Sequence, residues 1–413
     1  MHIHTSYLKK QLSKRKDQKL YELKPIGSAI RYKRVEKGLT LEEASEGICS
    51  ISYLSKLENN QIMPSPKFMF LLNERFSIQE SLESDLRQYE EDKIKIVLDL
   101  LLEQPIDHRI LTPYEQREDY QAYLIQMAHS ISFKHYEEAY KKYQYLRGYV
   151  VNLMDDELNI FFILTAILLY QKHHFCESYE LLLLAPELDQ NEFEKLNILK
   201  LKMRLNNAFR MNKTAEIHMN YQTYIDKLLD HHYYQLMSQM KIEHTTYEAS
   251  YLNPHIISKS TQKMNQFSDV DKAYIHAKSH YHQGEYRKVY DLTKLNYHID
   301  SHWLSLHLMT LDKLHDVETI KLMIDKEKEF KTCVKSTIIM NHLRHKYSKN
   351  KDELLNYLRT YILGFNHISD DYDLLDYLMM DAQYLFSKHQ FYKEAALVTM
   401  TMLPRLKTLN QAN

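Results

Sequence analysis

The chain has 413 residues, with 54 Lys and Arg against 55 Asp and Glu, a near-neutral balance that excludes a protein coating nucleic acid along its length. Only 6 Gly and 8 Pro interrupt it, and Leu, Lys, Glu and Tyr abound, so the composition predicts an all-α chain of more than one domain. Cys49, Cys176 and Cys333 are far apart with no CxxC, which excludes a disulfide framework or cysteine-based zinc site and leads us to expect a reducing cytoplasm. No secretory signal is expected from MHIHTSYLKK, which runs into further charge. The strongest apolar run, LNIFFILTAILLY at 158–170, falls short of the roughly 18 residues a spanning helix needs and predicts a buried helix. There is no GxxxxGK[ST], GxGxxG or HExxH, so neither an enzyme nor a cofactor is expected. His276 and His280 share a helix face, but a two-His face without a third ligand is a poor metal site, and none is expected there, at His282, at His173-His174 or at His231-His232.

In chain order, residues 1–24 form a basic extension carrying Lys9, Lys10, Lys14, Arg15, Lys16 and Lys19. It reads either as a frayed, solvated terminus or as an arm tracking a DNA backbone. Residues 25–80 read as a small helical head. Ile26, Ile30 and Leu39 supply the apolar stripe of its first helix. Thr40 and Glu43 form a capping box, Gly47 makes a tight turn, and Ser50 caps a further helix. There Ile51, Leu54 and Leu57 are expected to face inward. Ser52, Tyr53 and Lys56 lie on the opposite side, where hydroxyls and an ammonium reach base edges or phosphates. Tyr53 can equally serve as the edge of the core. Asn60 suits a left-handed turn after the helix, and Ser65-Pro66 starts another. The first 80 residues carry a net charge of +5 and the remainder −6, placing attraction for phosphate on the head.

The run IGSAIRYKRVEKGLTLEEASEGICSISYLSKLENNQIMPS resembles the phage-repressor type of helix-turn-helix, in the version found in PlcR and Rgg regulators. The resemblance spans residues ~25 to 77. It implies DNA contacts from Ser50, Ser52, Tyr53 and Lys56, with Arg31 and Lys33 of the first helix as further candidates. It also implies a structural ion pair between Arg34 and Glu58. Ala44 and Ser45 depart from the usual Leu-Ala, and Asn60 replaces a Gly.

Residues 85–413 read as a helical body. Five segments, beginning at 123, 161, 201, 273 and 381, share a plan of helix, short polar turn, aromatic and second helix. Tyr136, Phe175, Tyr286 and Phe391 hold the aromatic slot, and Ala139, Ala215 and Ala395 sit where close approach is needed. Some stretches, 252–270 among them, do not fit. The pattern resembles tetratricopeptide repeats of about 34 residues, whose stacks form a solenoid with a groove for an extended peptide. Head and solenoid together resemble the Rap, Rgg, NprR, PlcR and PrgX family of peptide-responsive regulators. That resemblance implies a cytoplasmic homodimer, an operator of double-stranded DNA (palindromic), a short signalling peptide in the groove, and no membrane. Degenerate repeats transfer no contact residues. Polar positions on first helices (Asn159, Asn206, Gln239, Glu243, His276 and Asn341) are our candidates, because such groups pair with a peptide backbone. Other readings are a protein-interaction scaffold, an anti-activator or phosphatase-type regulator of a protein partner, and a phage lysis–lysogeny arbitrator of the same architecture.

Overall fold

Capping oxygens placed just ahead of apolar runs set many of the helix starts: Asp119, Asn253, Ser268, Asp300, Asp316, Asn350 and Asp371 each accept from a backbone N–H of the following first turn. The structure is a computed structural model describing residues 3, 5–16, 26–58, 62, 64–76, 78–151, 153–189, 191–364 and 369–410. Among the described residues there is no strand. The helices are α1 (Thr5–Lys16), α2 (Ile26–Glu36), α3 (Leu41–Ser45), α4 (Ile51–Glu58), α5 (Pro66–Phe76), α6 (Ile78–Leu102) and α7 (His108–Leu111). Helical pairs follow: α8 (Tyr120–Ser132) with α9 (Tyr136–Leu146), α10 (Asp155–Gln171) with α11 (Phe175–Leu184), and α12 (Glu194–Met211) with α13 (Thr214–Asp230). Next come α14 (Tyr234–Glu248), which packs on α13, α15 (Pro254–Gln262), which packs on α16 (Asp269–His282), and α17 (Tyr286–Thr293), paired with α16. The last are α18 (Ser301–Lys313) with α19 (Val317–Asp325), α20 (Val334–Lys346) with α21 (Lys351–Tyr357), and α22 (Tyr372–Lys388) with α23 (Tyr392–Asn410). The stretch 252–270, which matched no repeat, holds α15, capped by Asn253 and started by Pro254. No helix among the described residues is long and apolar enough to cross a membrane.

One turn recurs between paired helices. Lys134, Asn212, His315 and Gln390 adopt φ of 57–66°, and Gly284 75°. After each, the next residue's N–H reaches back to a carbonyl five positions earlier, as in His135 N to Ser130 O at 2.8 Å and Asp316 N to Leu311 O at 3.0 Å. This is the Schellman ending of a helix, which satisfies carbonyls that the last turn would leave unpaired. It brings the chain back in so few residues that the two helices pack side by side.

The chain falls into two compact units, residues 1–169 with 180–203 and residues 170–179 with 204–413. This division does not fall near residue 80, where the head was expected to end. The physical reason is α6, a 25-residue helix that packs on α2 and α5 and also on α8.

In the first unit the head closes over Ile30, Ala44, Leu54, Leu57, Leu72 and Phe76. The run at 158–164 within α10 is buried at every position, as an apolar stretch interrupted only by Asn159 requires. The basic extension differs from both expectations in the part that is described. α1 is a docked helix: Leu8 is fully buried, Arg15 pairs with Asp155 at 2.6 Å, and Lys9 pairs with Glu180 at 2.9 Å. The Arg15 guanidinium also donates to the Leu153 carbonyl at 2.7 Å. Lys19 and the Lys16 side chain lie outside the described residues, as does Asn60. The three acidic residues that start α10 serve four contacts at once. Asp155 takes Arg15 of α1, Asp156 takes Lys93 of α6, and Glu157 accepts from Tyr89 of α6 at 3.0 Å while its other oxygen caps the Met154 N–H. Burial pushes the Glu157 carboxyl up to about 7 despite Lys93 nearby.

In the second unit the core runs from Phe175 through Trp303, Leu308 and Leu311 to Phe386 and Leu406. A polar network threads it. Lys346 bridges Asp312 (2.8 Å) and Asp381 (2.6 Å), Asp381 also takes His342 Nε2 at 2.7 Å, and Asp312 accepts from the Tyr347 and Tyr377 hydroxyls. Such a network is stable only when its members satisfy one another, and it ties α18, α20 and α22 in a single register.

Candidate nucleic-acid interface

The head's local geometry follows from a few polar atoms. Thr40 Oγ1 accepts from the Glu43 N–H at 3.2 Å while Glu43 Oε2 accepts from the Thr40 N–H at 2.7 Å, closing the capping box of α3. Gly47, at φ 74°, carries the chain through a left-handed turn that a side chain would strain. Ser50 Oγ then accepts from the Tyr53 N–H at 3.2 Å and starts α4.

On α4 the inward face is Leu54, Leu57 and Glu58. Ile51 is not part of it: 46% of its surface is exposed. Spacing by three turns each successive residue back by about 60° around the helix, so the first of three such residues drifts off the shared face. Glu58 is buried because Arg34 of α2 lies against it. Arg34 Nε and an Nη donate to the two carboxylate oxygens at 2.6 and 2.9 Å, and the other Nη donates to the Leu39 carbonyl at 2.8 Å. This two-pronged pair sets the angle between α2 and α4 from beneath.

The outward face holds Ser52 and Lys56, both exposed and one helical turn apart, with exposed Ser50 at the helix start. A hydroxyl and an ammonium so spaced match a base edge and a neighbouring phosphate. Tyr53 is half-buried: its ring lies 4.9 Å from that of Phe68, and its hydroxyl accepts from the Ser65 N–H at 3.4 Å. Its ring therefore braces α5. Lys33 is half-buried on α2. Arg31 departs from its expected role, because its guanidinium donates to the Tyr149 hydroxyl at 3.1 Å, and Tyr149 in turn bonds and stacks with Tyr145. Tyr149, beyond the end of α9, had no signal in the sequence, since nothing local marks a tyrosine that will meet a helix more than a hundred residues earlier. Burial pushes the Cys49 thiol up, so it stays a protonated core edge.

The candidate peptide contacts are not gathered into one surface. Asn159 is overturned outright: it is fully buried in the first unit, with its amide donating to the Asp155 and Pro186 carbonyls and its oxygen accepting from Lys200. A buried α10 leaves no face for ligand there. Glu243 faces Arg210 at 3.4 Å, and His276 Nε2 meets Thr261 Oγ1 at 3.1 Å. Asn206 is half-buried and Gln239 exposed. Asn341 lines a cavity of about 210 Å³ with Tyr357, Tyr361 and Ile362, which none of the others touches. Among the described residues no group of three His, Cys, Asp or Glu side chains is placed to hold a metal ion.

Residues 30–81 match the family model described as a helix-turn-helix, the DNA-binding module of transcriptional regulators. The match covers the stretch that carries α4 and its exposed face, and the chain is thus a DNA-binding regulator in its head. No curated protein and no solved structure matches the chain.

Proposed function

We propose that the protein is a transcriptional regulator that reads an operator with α4 and is controlled by a short peptide bound on its helical body. Two copies present two α4 helices to the half-sites of a palindrome, about 34 Å apart. Ser52 reads a base edge, Lys56 meets a phosphate, and the peptide acts by changing how the two helices are presented. The observation that carries this reading is the division of α4 into a face locked by Leu54, Leu57 and the Arg34–Glu58 pair and a face left open at Ser52 and Lys56. Helical pairs within the second unit support the second half, because stacked pairs offer a surface for an extended ligand.

Footprinting on the DNA flanking the gene, with and without peptides fractionated from conditioned medium, tests it. A protected palindrome that weakens or shifts with peptide is the expected result. Lys56→Ala should reduce operator affinity by about tenfold. Unchanged affinity in that variant at moderate salt would remove α4 as the reading helix. Binding indifferent to every peptide fraction would leave a regulator without this control.

A further inference from the structure

In the second unit, α16, α18, α20 and α22 are the first helices of four successive pairs, and together they enclose a cavity of about 230 Å³. Five of its lining residues carry formal charge at neutral pH. Lys278 pairs with Asp373 at 3.0 Å, and Lys335 pairs with Asp371 at 2.7 Å and approaches Asp373 at 3.9 Å. Those two lysines are thereby neutralised by carboxylates of α22 and its approach. Burial pushes His282 and His302 below the ordinary imidazole value, so neither adds charge at neutral pH.

The remaining two are different. Lys313 lies 5.7 Å from the Tyr377 ring centre, and among the described residues neither it nor Asp376 closes an ion pair. Burial and Asp373 raise the Asp376 carboxyl, and Lys313 opposes the shift only in part. A cation and an anion that feel one another without closing to an ion pair thus face the same space. Between them Leu306, Met309 and Met380 supply an apolar wall.

We propose that this cavity binds a free α-amino acid with an apolar side chain. Its carboxylate meets Lys313, its ammonium meets Asp376, and its side chain lies on Leu306, Met309 and Met380. The cavity is smaller than the roughly 300–1,000 Å³ pockets that enclose drug-sized ligands, so it suits one residue and not a folded peptide. A ligand carrying one charge of each sign leaves no charge uncompensated on entering. An anion or a cation alone would strand Asp376 or Lys313 in a drier setting. The body would then sense a metabolite in addition to the peptide proposed above, and the inference stands on the cavity whether or not a peptide also binds.

Calorimetric titration of the full chain with L-leucine, L-methionine and L-phenylalanine at millimolar concentration tests it. At least one should bind, and its N-acetyl and carboxamide derivatives should bind about tenfold more weakly or worse, since each lacks one charge. Lys313→Met and Asp376→Asn should each lower affinity by a similar factor. Both replace partly exposed side chains without ion-pair partners, and a far-ultraviolet spectrum matching the parent establishes that they fold. The proposal is overturned if none of the three amino acids binds, if the capped derivatives bind equally well, or if both folded variants bind undiminished. Operator affinity of the same preparations, measured without amino acid, reports separately on the DNA-binding reading.

Discussion

Arg34 shows how much of the head rests on a single guanidinium. Its partner Glu58 is 5% exposed, so the carboxylate's stability depends on the two hydrogen bonds it receives. Arg34→Ala leaves a buried charge without compensation and should destabilise the first unit by roughly 3 kcal/mol, whereas Arg34→Met combined with Glu58→Leu should recover most of the loss. Urea titration followed by fluorescence checks this, and equal midpoints for Arg34→Ala and the parent would contradict it. His307 offers the matching case in the second unit. Burial holds its imidazole down to about 4, between the Tyr290 and Tyr297 rings with Thr293 bonded to Nδ1 at 2.8 Å; Asp316 opposes the shift only weakly. Between pH 6.5 and about 4 the unfolded chain binds the proton and the folded one does not, so stability falls as pH is lowered through that window and levels off beneath it. The full window is worth about 3 kcal/mol at most for this one group. His307→Gln should flatten the acid slope of the denaturation midpoint without abolishing it, because His173 and His244 are held down to about 4 by burial as well. A slope unchanged by the substitution would mean His307 is not the titrating group. These residues also divide by legibility. The Thr40 cap and the exposure of Ser52 and Lys56 are set within one or two turns of chain and are written in local spacing. Asn159 and Arg31 take their places from partners distant in sequence, which spacing does not encode.

At the scale of the element, the repeated hairpin turn explains why a chain this poor in glycine forms so many helix pairs. Of the left-handed residues that close these turns, Gly284 carries no strain, whereas Lys134, Asn212, His315 and Gln390 bear the Cβ clash. The cost is borne locally because the turn satisfies two carbonyls and the helices behind it pack. His315 is exposed, so its substitution isolates the backbone effect. His315→Gly should raise stability by about 0.5–1 kcal/mol, the relief of the left-handed strain less the added freedom of the unfolded chain. Thermal unfolding at neutral pH measures it, and a lower midpoint would show that the His315 side chain contributes contacts that outweigh the strain. The same turns account for which pairs could be seen beforehand. Where an aromatic follows the turn, as at Tyr136, Phe175, Tyr286 and Phe391, the hairpin was legible. α14 and α15 are joined through Asn253-Pro254 without a left-handed residue, α14 packing instead on α13 across the turn at His232, and a search for the repeated plan passes over them. α1 was missed for another reason: its mean composition is polar, and only Leu8 marks the face it buries.

For the whole molecule, the partition of charge looks different once the pairings are known. The first 80 residues carry a net +5, but Lys9, Arg15 and Arg34 are bound to carboxylates, and Arg75 and Lys37 donate to backbone carbonyls. Arg31 is committed to Tyr149. The excess that attracts DNA at a distance is therefore larger than the set of cations available to touch it. On the head, Lys56 and Lys67 are exposed; on the reading proposed above they and Lys33 make two or three phosphate contacts per protomer. Each contact contributes about −0.9 to the slope of log affinity against log salt, so the slope should lie near −2 to −3 per protomer. If α1 instead tracked the backbone, its exposed Lys10 and Lys14 would steepen the slope by about 2. Fluorescence anisotropy on the operator duplex over a series of potassium chloride concentrations distinguishes the two. Lys10→Gln with Lys14→Gln should leave the slope where it was, whereas Lys56→Gln should reduce it by about 1. A slope that responds to the α1 pair and not to Lys56 would reverse the assignment, making the docked helix the electrostatic arm and α4 a packing element.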